Sequence, residues 1–208
     1  MLTWKDIQVI IPTNSSDNFR SNNCKKLAYN ISKECIGCNL EIAKQYNIKT
    51  FRDVFISISN ALKSINKEYI LYIEDDVCLS NDFGKRALNR INYLNKDIIS
   101  FFSIGGEDIV RYNSGIRSYE KPGHSFGYLQ CIFMTKEIGI GWGNMMVNWW
   151  DSAQNNLKGA PDFALGEYCQ KHDILITISL PSLVQHISTT SLFGHICVKS
   201  KTFGFEDI

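Results

Sequence analysis

Three adjacent carboxylates, Glu74-Asp75-Asp76, follow directly on the apolar run Tyr69-Ile-Leu-Tyr-Ile73. Carboxylates crowded in this way repel one another and attract a cation. Hard divalent ions such as Mg²⁺ and Mn²⁺ take oxygen ligands and commonly share one or two carboxylates with substrate phosphates. A solvated acidic turn that caps the next helix would carry the same residues. Position favours the cation, because ligands gather at the carboxyl ends of strands in an α/β sheet.

The elements that must position these residues follow from apolar periodicity. Ile7 to Pro12 reads as a buried strand that runs into a polar loop at Pro12-Thr-Asn-Ser-Ser. Thr50 and Asp53 have the spacing of a capping box, and Phe51, Val54, Phe55, Ile58, Leu62 and Ile65 then recur at helical intervals. Tyr69 to Ile73 is a second buried strand, Phe83, Ala87, Ile91 and Leu94 mark a helix, and Ile98 to Ile104 is a further strand. The second half reads as a strand over 126–135, a helix over 137–157, a helix from Pro161 toward His172 and a strand over 174–180. Alternating strands and helices imply an α/β fold: a mixed, mostly parallel central sheet flanked by helices, Rossmann-like, in a single domain over 1–208.

Composition narrows the function classes. Of 208 residues, 22 are Lys or Arg and 21 are Asp or Glu, so the net charge of +1 supplies no basic field for nucleic acid. No apolar run approaches the roughly 20 residues that span a bilayer. The start of the chain lacks the basic and long apolar regions of a secretory signal, so the expected compartment is the cytoplasm. Seven scattered cysteines are then expected to be reduced thiols, and the glycosylation sequons at Asn14 and Asn30 to go unused.

Three motifs in order resemble a known family. The strand ending Ile10-Ile-Pro-Thr-Asn14, the segment from Asn60 to Asp76 with its DXD-like acidic triplet, and Pro181-Ser-Leu-Val-Gln-His186 together look like a nucleotide-sugar glycosyltransferase of the GT-A fold. The last motif, with Asp162-Phe-Ala-Leu upstream and Ser191 and Gly194 downstream, is similar to the ending of the N-acetylglucosaminyltransferase IV family. The whole also resembles the N-terminal glycosyltransferase domain of chlorella-virus capsid-glycosylation proteins, which carry further domains.

This resemblance implies a metal-dependent transfer of sugar from a UDP-sugar donor to a glycan or glycoprotein acceptor. The donor sugar would be a hexose or a deoxyhexose such as rhamnose, and the location the host cytoplasm if the chain is viral. Residues 1–104 would form the nucleotide- and metal-binding half, and 105–208 the acceptor-binding half. Asp76 would be the main metal ligand, joined by Glu74 and His186. A histidine ligand would favour Mn²⁺ over Mg²⁺. His195 is a weaker rival to His186. Pro12, Thr13 and Asn14 would line the nucleotide pocket, with Glu74 and Asp75 toward metal, ribose or sugar. Asn60 lies where related enzymes have a donor-site asparagine, and Arg52 could meet a phosphate, although a surface ion pair explains either equally well. Gln130 could contact the donor sugar from below in a retaining enzyme, or be an ordinary polar strand residue.

Asp162 would face the acceptor and take or orient its hydroxyl proton, with Glu167 and Asp151 in reserve. An aspartate at a helix start is also an ordinary cap. Trp142, Trp149 and Trp150 fit core packing better than sugar stacking. Gly139-Ile-Gly-Trp-Gly-Asn144 lacks the third glycine and the leading strand of a dinucleotide loop. Cys35 and Cys38 lack the second pair that a zinc site needs. Two other classes compete: a noncatalytic carbohydrate-binding module on a decayed transferase fold, and a metal-dependent phosphohydrolase.

Overall fold

The computed structural model describes residues 1–14, 16–45, 50–153, 161–187 and 198–206. In chain order, β1 (Ile7–Asn14), α1 (Asn18–Glu34), β2 (Asn39–Gln45), α2 (Phe51–Lys63), β3 (Tyr69–Ile73), β4 (Val77–Leu79), α3 (Phe83–Leu94) and β5 (Ile98–Ser100) make up the first half. α4 (Asp108–Asn113), β6 (Ser118–Pro122), β7 (Cys131–Thr135), α5 (Lys136–Ala153), α6 (Pro161–Lys171), β8 (Leu175–Ser179) and β9 (Val184–His186) follow. Seven strands form one sheet in the order β2-β1-β3-β7-β5-β8-β6, and β4 pairs with β9 in a separate ribbon. Five of the seven point the same way, while β7 and β6 run against them. The fold is therefore the expected mixed α/β sheet flanked by helices.

Period-2 alternation builds two cores, one on each face of the sheet. Ile10, Ile70, Tyr72, Ile98, Ile132 and Met134 face one way, toward α2, α5 and α6, with Phe55, Leu62, Trp142 and Leu165 in that layer. Val9, Ile11, Leu71, Ile73, Ile99 and Phe133 face the other way, where Leu27 and Ile31 of α1 and Phe83 and Ile91 of α3 cover them. This double burial is why β3 reads as a continuous apolar run instead of an alternating one.

The tryptophans belong to the first core: Trp142 is fully buried, edge-on to Tyr72, and Trp149 stacks on Phe55. Gly139 and Gly141 lie inside α5, where a Cβ would overlap Ile70 or Tyr168, so the glycine-rich stretch serves close helix packing. Gly123 and Gly166 meet backbone to backbone, and a Cβ on either would overlap the other's carbonyl. That contact seats α6.

Several elements differ from the sequence expectation. The polar stretch after Pro12 holds α1 and β2, because α1 buries only Cys24, Leu27 and Ile31 and offers a thin apolar stripe. The strand expected over 126–135 begins only at Cys131, after a single 3₁₀ turn at Gly123–Ser125. Ile98 to Ile104 contributes just three strand residues, since Ser100 turns its hydroxyl back onto the Phe102 carbonyl at 3.0 Å. β6 is a polar edge strand without an apolar signature. The expected extension of α5 to residue 157 lies outside the described residues.

Candidate functional site

The triplet stands at the carboxyl end of β3, as its sequence position requires. Glu74 extends the ladder with β7 by one bond, from its N–H to the Gln130 carbonyl at 3.0 Å. The chain then turns through Asp75 and Asp76 into β4. β4 pairs antiparallel with β9, opposing Val77 to His186, and the Ile187 N–H donates to the Asp76 carbonyl at 2.9 Å. This short ribbon brings His186 to the triplet. One potential ligand atom from each of Glu74, Asp76 and His186 lies within 4.8 Å of the others. Among the described residues no other group of three His, Cys, Asp or Glu does this.

A residue absent from the sequence reading completes the arrangement. Arg20, in the first turn of α1, forks onto two carboxylates: Nη1 donates to Asp75 Oδ1 at 2.5 Å and Nη2 to Asp76 Oδ2 at 2.7 Å. Asp17 caps this helix by accepting from the Arg20 N–H at 3.0 Å. Asn23, one turn on, donates to the carbonyls of Asp75 and Val77 at 2.6 and 3.1 Å. The sequence signal that could have found Arg20 was Asp17 as a cap followed by Cys24, Leu27 and Ile31 at helical spacing.

The site remains short of partners. Thr13 Oγ1, Asp75 Oδ2, Asp76 Oδ1, Gln130 Oε1 and His186 Nδ1 are all buried without a hydrogen bond. His186 Nδ1 stands 3.5 Å from Asp76 Oδ1, too far for a good hydrogen bond. Buried polar atoms are normally paired, and leaving one unpaired costs about 1–3 kcal/mol. Lone pairs of two carboxylates and an imidazole facing one space fit a divalent cation. The Nε2 atom of Gln130 reaches Glu74 Oε2 at 3.3 Å, and Phe102 packs edge-on to the His186 ring at 5.6 Å.

Electrostatics agree with this geometry. Glu74 keeps some solvent contact but is surrounded by protein, and this burial, then Asp76 and Asp162, push its carboxyl well above the usual range. Burial also raises Asp75, against the pull of Arg20. For Asp76 burial works upward, but His186 and Arg20 outweigh it and hold the carboxyl below its ordinary value. The influence of Asp162 on Glu74 is informative, because these residues come from different halves of the chain. α6 leads back to the start of β8, so its first turn lies at the same sheet edge as the triplet.

The other sequence candidates are distributed as follows. Pro12, Thr13 and Asn14 end β1, next to β3, and only Thr13 contributes an orphaned buried hydroxyl. Asn14 Oδ1 accepts from the Ser16 N–H at 3.0 Å. Asp162 is inside the first turn of α6 and accepts from the Phe163 N–H at 3.0 Å. Arg52 and Asp151 face each other as an exposed bidentate pair at 2.7 and 2.8 Å. Glu167 accepts from Trp149 Nε1 and from Lys171 Nζ, and the lysine bond, first of all, holds its carboxyl below the ordinary value. Asn60 is exposed in the last turn of α2, a helix that runs against the strands it joins, so it lies at the edge away from the triplet. Periodicity revealed the helix without showing which end met the site. Ser191, Gly194 and His195 lie outside the described residues. Cys35 and Cys38 carry free thiols raised by burial, which gives neither the reactivity of a redox pair.

No protein-family model and no curated protein matches the chain. Among solved structures it is similar to A197 from STIV, at 11% identity and a TM-score of 0.47, over 97% of this chain and 98% of that one. It is similar to a glycosyltransferase involved in glycosylation of the major capsid of PBCV-1, at 10% identity and a TM-score of 0.46, over 84% of this chain and 92% of that one. S. aureus TarS is matched at 13% identity and a TM-score of 0.49, over 88% of this chain and 37% of that one. No helix among the described residues is long and apolar enough to cross a membrane.

Proposed function

We propose that the protein is a metal-dependent glycosyltransferase of the GT-A type, moving a sugar from a UDP-sugar to a glycan hydroxyl. The observation that carries this reading is the cluster of Glu74, Asp76 and His186, with its unpaired buried lone pairs, at the carboxyl end of β3. A divalent ion held there, Mn²⁺ in preference to Mg²⁺ because of the imidazole, supplies positive charge opposite a departing nucleoside diphosphate. Thr13 and Asn14 at the end of β1 border the nucleotide, with Pro12 shaping that strand end. Asp75 and Gln130 border the ribose or donor sugar. Residues 1–104 thus supply the donor side, while 105–208 supply the acceptor side and lend His186 to the metal.

Asp162 is assigned the acceptor hydroxyl: it is near enough to Glu74 to raise its carboxyl, and it starts a helix at the same sheet edge. Glu167 and Asp151 are engaged by Lys171 with Trp149 and by Arg52, so neither is placed in the chemistry. Arg52 and Asn60 are dropped from the donor site for the reasons of pairing and position given above. A finer reading, transfer of a deoxyhexose such as rhamnose to glycans of a viral capsid protein in the host cytoplasm, rests on the resemblance of the three motifs alone.

The test is a panel of UDP-sugars with Mn²⁺, scored for UDP release in wild type and in Asp76→Asn. Metal-dependent UDP release lost in the variant is the expected result. Release of inorganic phosphate instead would make the protein a phosphohydrolase. Glycan binding with no turnover of any donor would make it a carbohydrate-binding module.

A further inference from the structure

The triplet already has one cation beside it, and that cation belongs to the protein. Arg20 satisfies Asp75 Oδ1 and Asp76 Oδ2, while Asp76 Oδ1 and His186 Nδ1 face each other at 3.5 Å without a hydrogen bond. The guanidinium thus divides Asp76 between two roles, one oxygen bound to Arg20 and one facing His186. Its side chain is 11% exposed and the two aspartates 2%, so solvent screens the pair poorly. The guanidinium offsets part of the negative charge that Asp75 and Asp76 carry. A divalent ion entering the cluster by itself meets Arg20 as a like charge held across one carboxyl group. A divalent ion entering with a diphosphate brings negative charge, which Arg20 and the amino end of α1 favour.

We propose that Arg20 is a resident counter-ion that keeps the site weak for bare metal and makes metal and diphosphate enter together. Arg20 acts as a positioning and charge-setting residue and takes no part in bond making. This inference rests on reading the Glu74, Asp76 and His186 cluster as a cation site. It predicts two signed effects. Mn²⁺ alone should bind at least about tenfold more tightly to Arg20→Gln than to wild type, because a fixed positive charge near the ion is gone. Inorganic pyrophosphate should tighten Mn²⁺ binding to wild type and do so much less in Arg20→Gln.

The experiment is Mn²⁺ titration followed by electron paramagnetic resonance, with and without pyrophosphate, on wild type, Arg20→Gln, Arg20→Lys and Asp76→Asn. Arg20→Lys keeps the charge and should resemble wild type toward bare metal. Bare-metal affinity unchanged or weakened in Arg20→Gln overturns the inference, as does equal tightening in Arg20→Lys. If Arg20→Gln fails to fold, wild type alone decides: Mn²⁺ bound no more tightly with pyrophosphate than without overturns it. Mn²⁺ binding that is absent from wild type with and without pyrophosphate overturns the cation-site reading itself. Binding that Asp76→Asn abolishes, without the Arg20 effects, overturns only the inference.

Discussion

Asp76 and Asp108 are both buried aspartates beside an arginine, and they are built for opposite purposes. Asp108 is 1% exposed and fully engaged: Oδ2 accepts from the Gly105 N–H at 2.8 Å, and Oδ1 accepts from the Tyr119 hydroxyl at 2.8 Å and from Arg111 at 3.2 Å. Asp76 is 2% exposed, gives one oxygen to Arg20, and leaves the other without a hydrogen bond, 3.5 Å from His186 Nδ1, which has none either. Burial and a cationic partner are therefore common to both and identify neither as a site. What separates them is hydrogen-bond satisfaction. A saturated carboxylate holds its loop together, and an unsaturated one is prepared for something the chain does not supply.

Four experiments can break or sharpen that contrast, beginning with the largest effect. Asp162→Asn should lower sugar transfer by about 10² to 10⁴, the usual worth of general-base assistance, while leaving UDP-sugar affinity and melting temperature unchanged. Its side chain already bonds the Phe163 N–H, an interaction asparagine can keep, so full activity in this variant would return Asp162 to a helix-start role. Asp76→Asn should weaken Mn²⁺ binding by at least about 100-fold, since even outer-shell partners of metal ligands are worth 10- to 100-fold. Calorimetry measures this directly. Mn²⁺ at 100 times the wild-type dissociation constant should stabilise wild type by about 2.7 kcal/mol and the variant by no more than about 0.4 kcal/mol.

Asp108→Ala should do the reverse, costing about 2–3 kcal/mol in urea unfolding because Gly105, Tyr119 and Arg111 lose a charged acceptor together. Its Mn²⁺ affinity should match wild type. A metal defect in Asp108→Ala would erase the distinction between the two aspartates. The smallest effect is expected for Arg52→Gln, whose partner Asp151 is 45% exposed. Exposed ion pairs contribute about 0–1 kcal/mol, so both stability and donor affinity should change little. A loss of UDP-sugar affinity in this variant would restore Arg52 to the phosphate.

How much of this was legible depends on which physical signal each part left in the chain. α2 and its cap were readable from Thr50, Asp53 and the apolar spacing that follows, and Asp53 Oδ2 accepts from the Thr50 N–H at 2.9 Å and from its hydroxyl at 3.1 Å. β3 and α3 were readable to the residue, because a strand buried on both faces and a helix with a clean apolar stripe leave strong patterns. α1, β2 and β6 were not, since a helix with three buried residues and polar strands near the sheet edge resemble loops. Arg20 was lost with α1. The place of Asn60, at the sheet edge away from the triplet, was not legible either, because helical periodicity carries no information about which end of a helix meets a ligand.

The sequence by itself determined the alternating architecture, the place of Glu74, Asp75 and Asp76 at a strand end, and the candidacy of His186 and Asp162. The architecture and the strand-end triplet follow from local rules, in which side-chain polarity and spacing act over one element, whereas His186 and Asp162 became candidates through the resemblance of their motifs. Tertiary structure decided which candidates share a space. The β4–β9 ribbon joins His186 to Asp76, the packing of α1 on the sheet brings Arg20 to two carboxylates, and the close contact of Gly123 with Gly166 seats the helix that begins with Asp162. Whether a buried carboxylate is saturated depends on residues far away in the chain, and no local pattern records their distance.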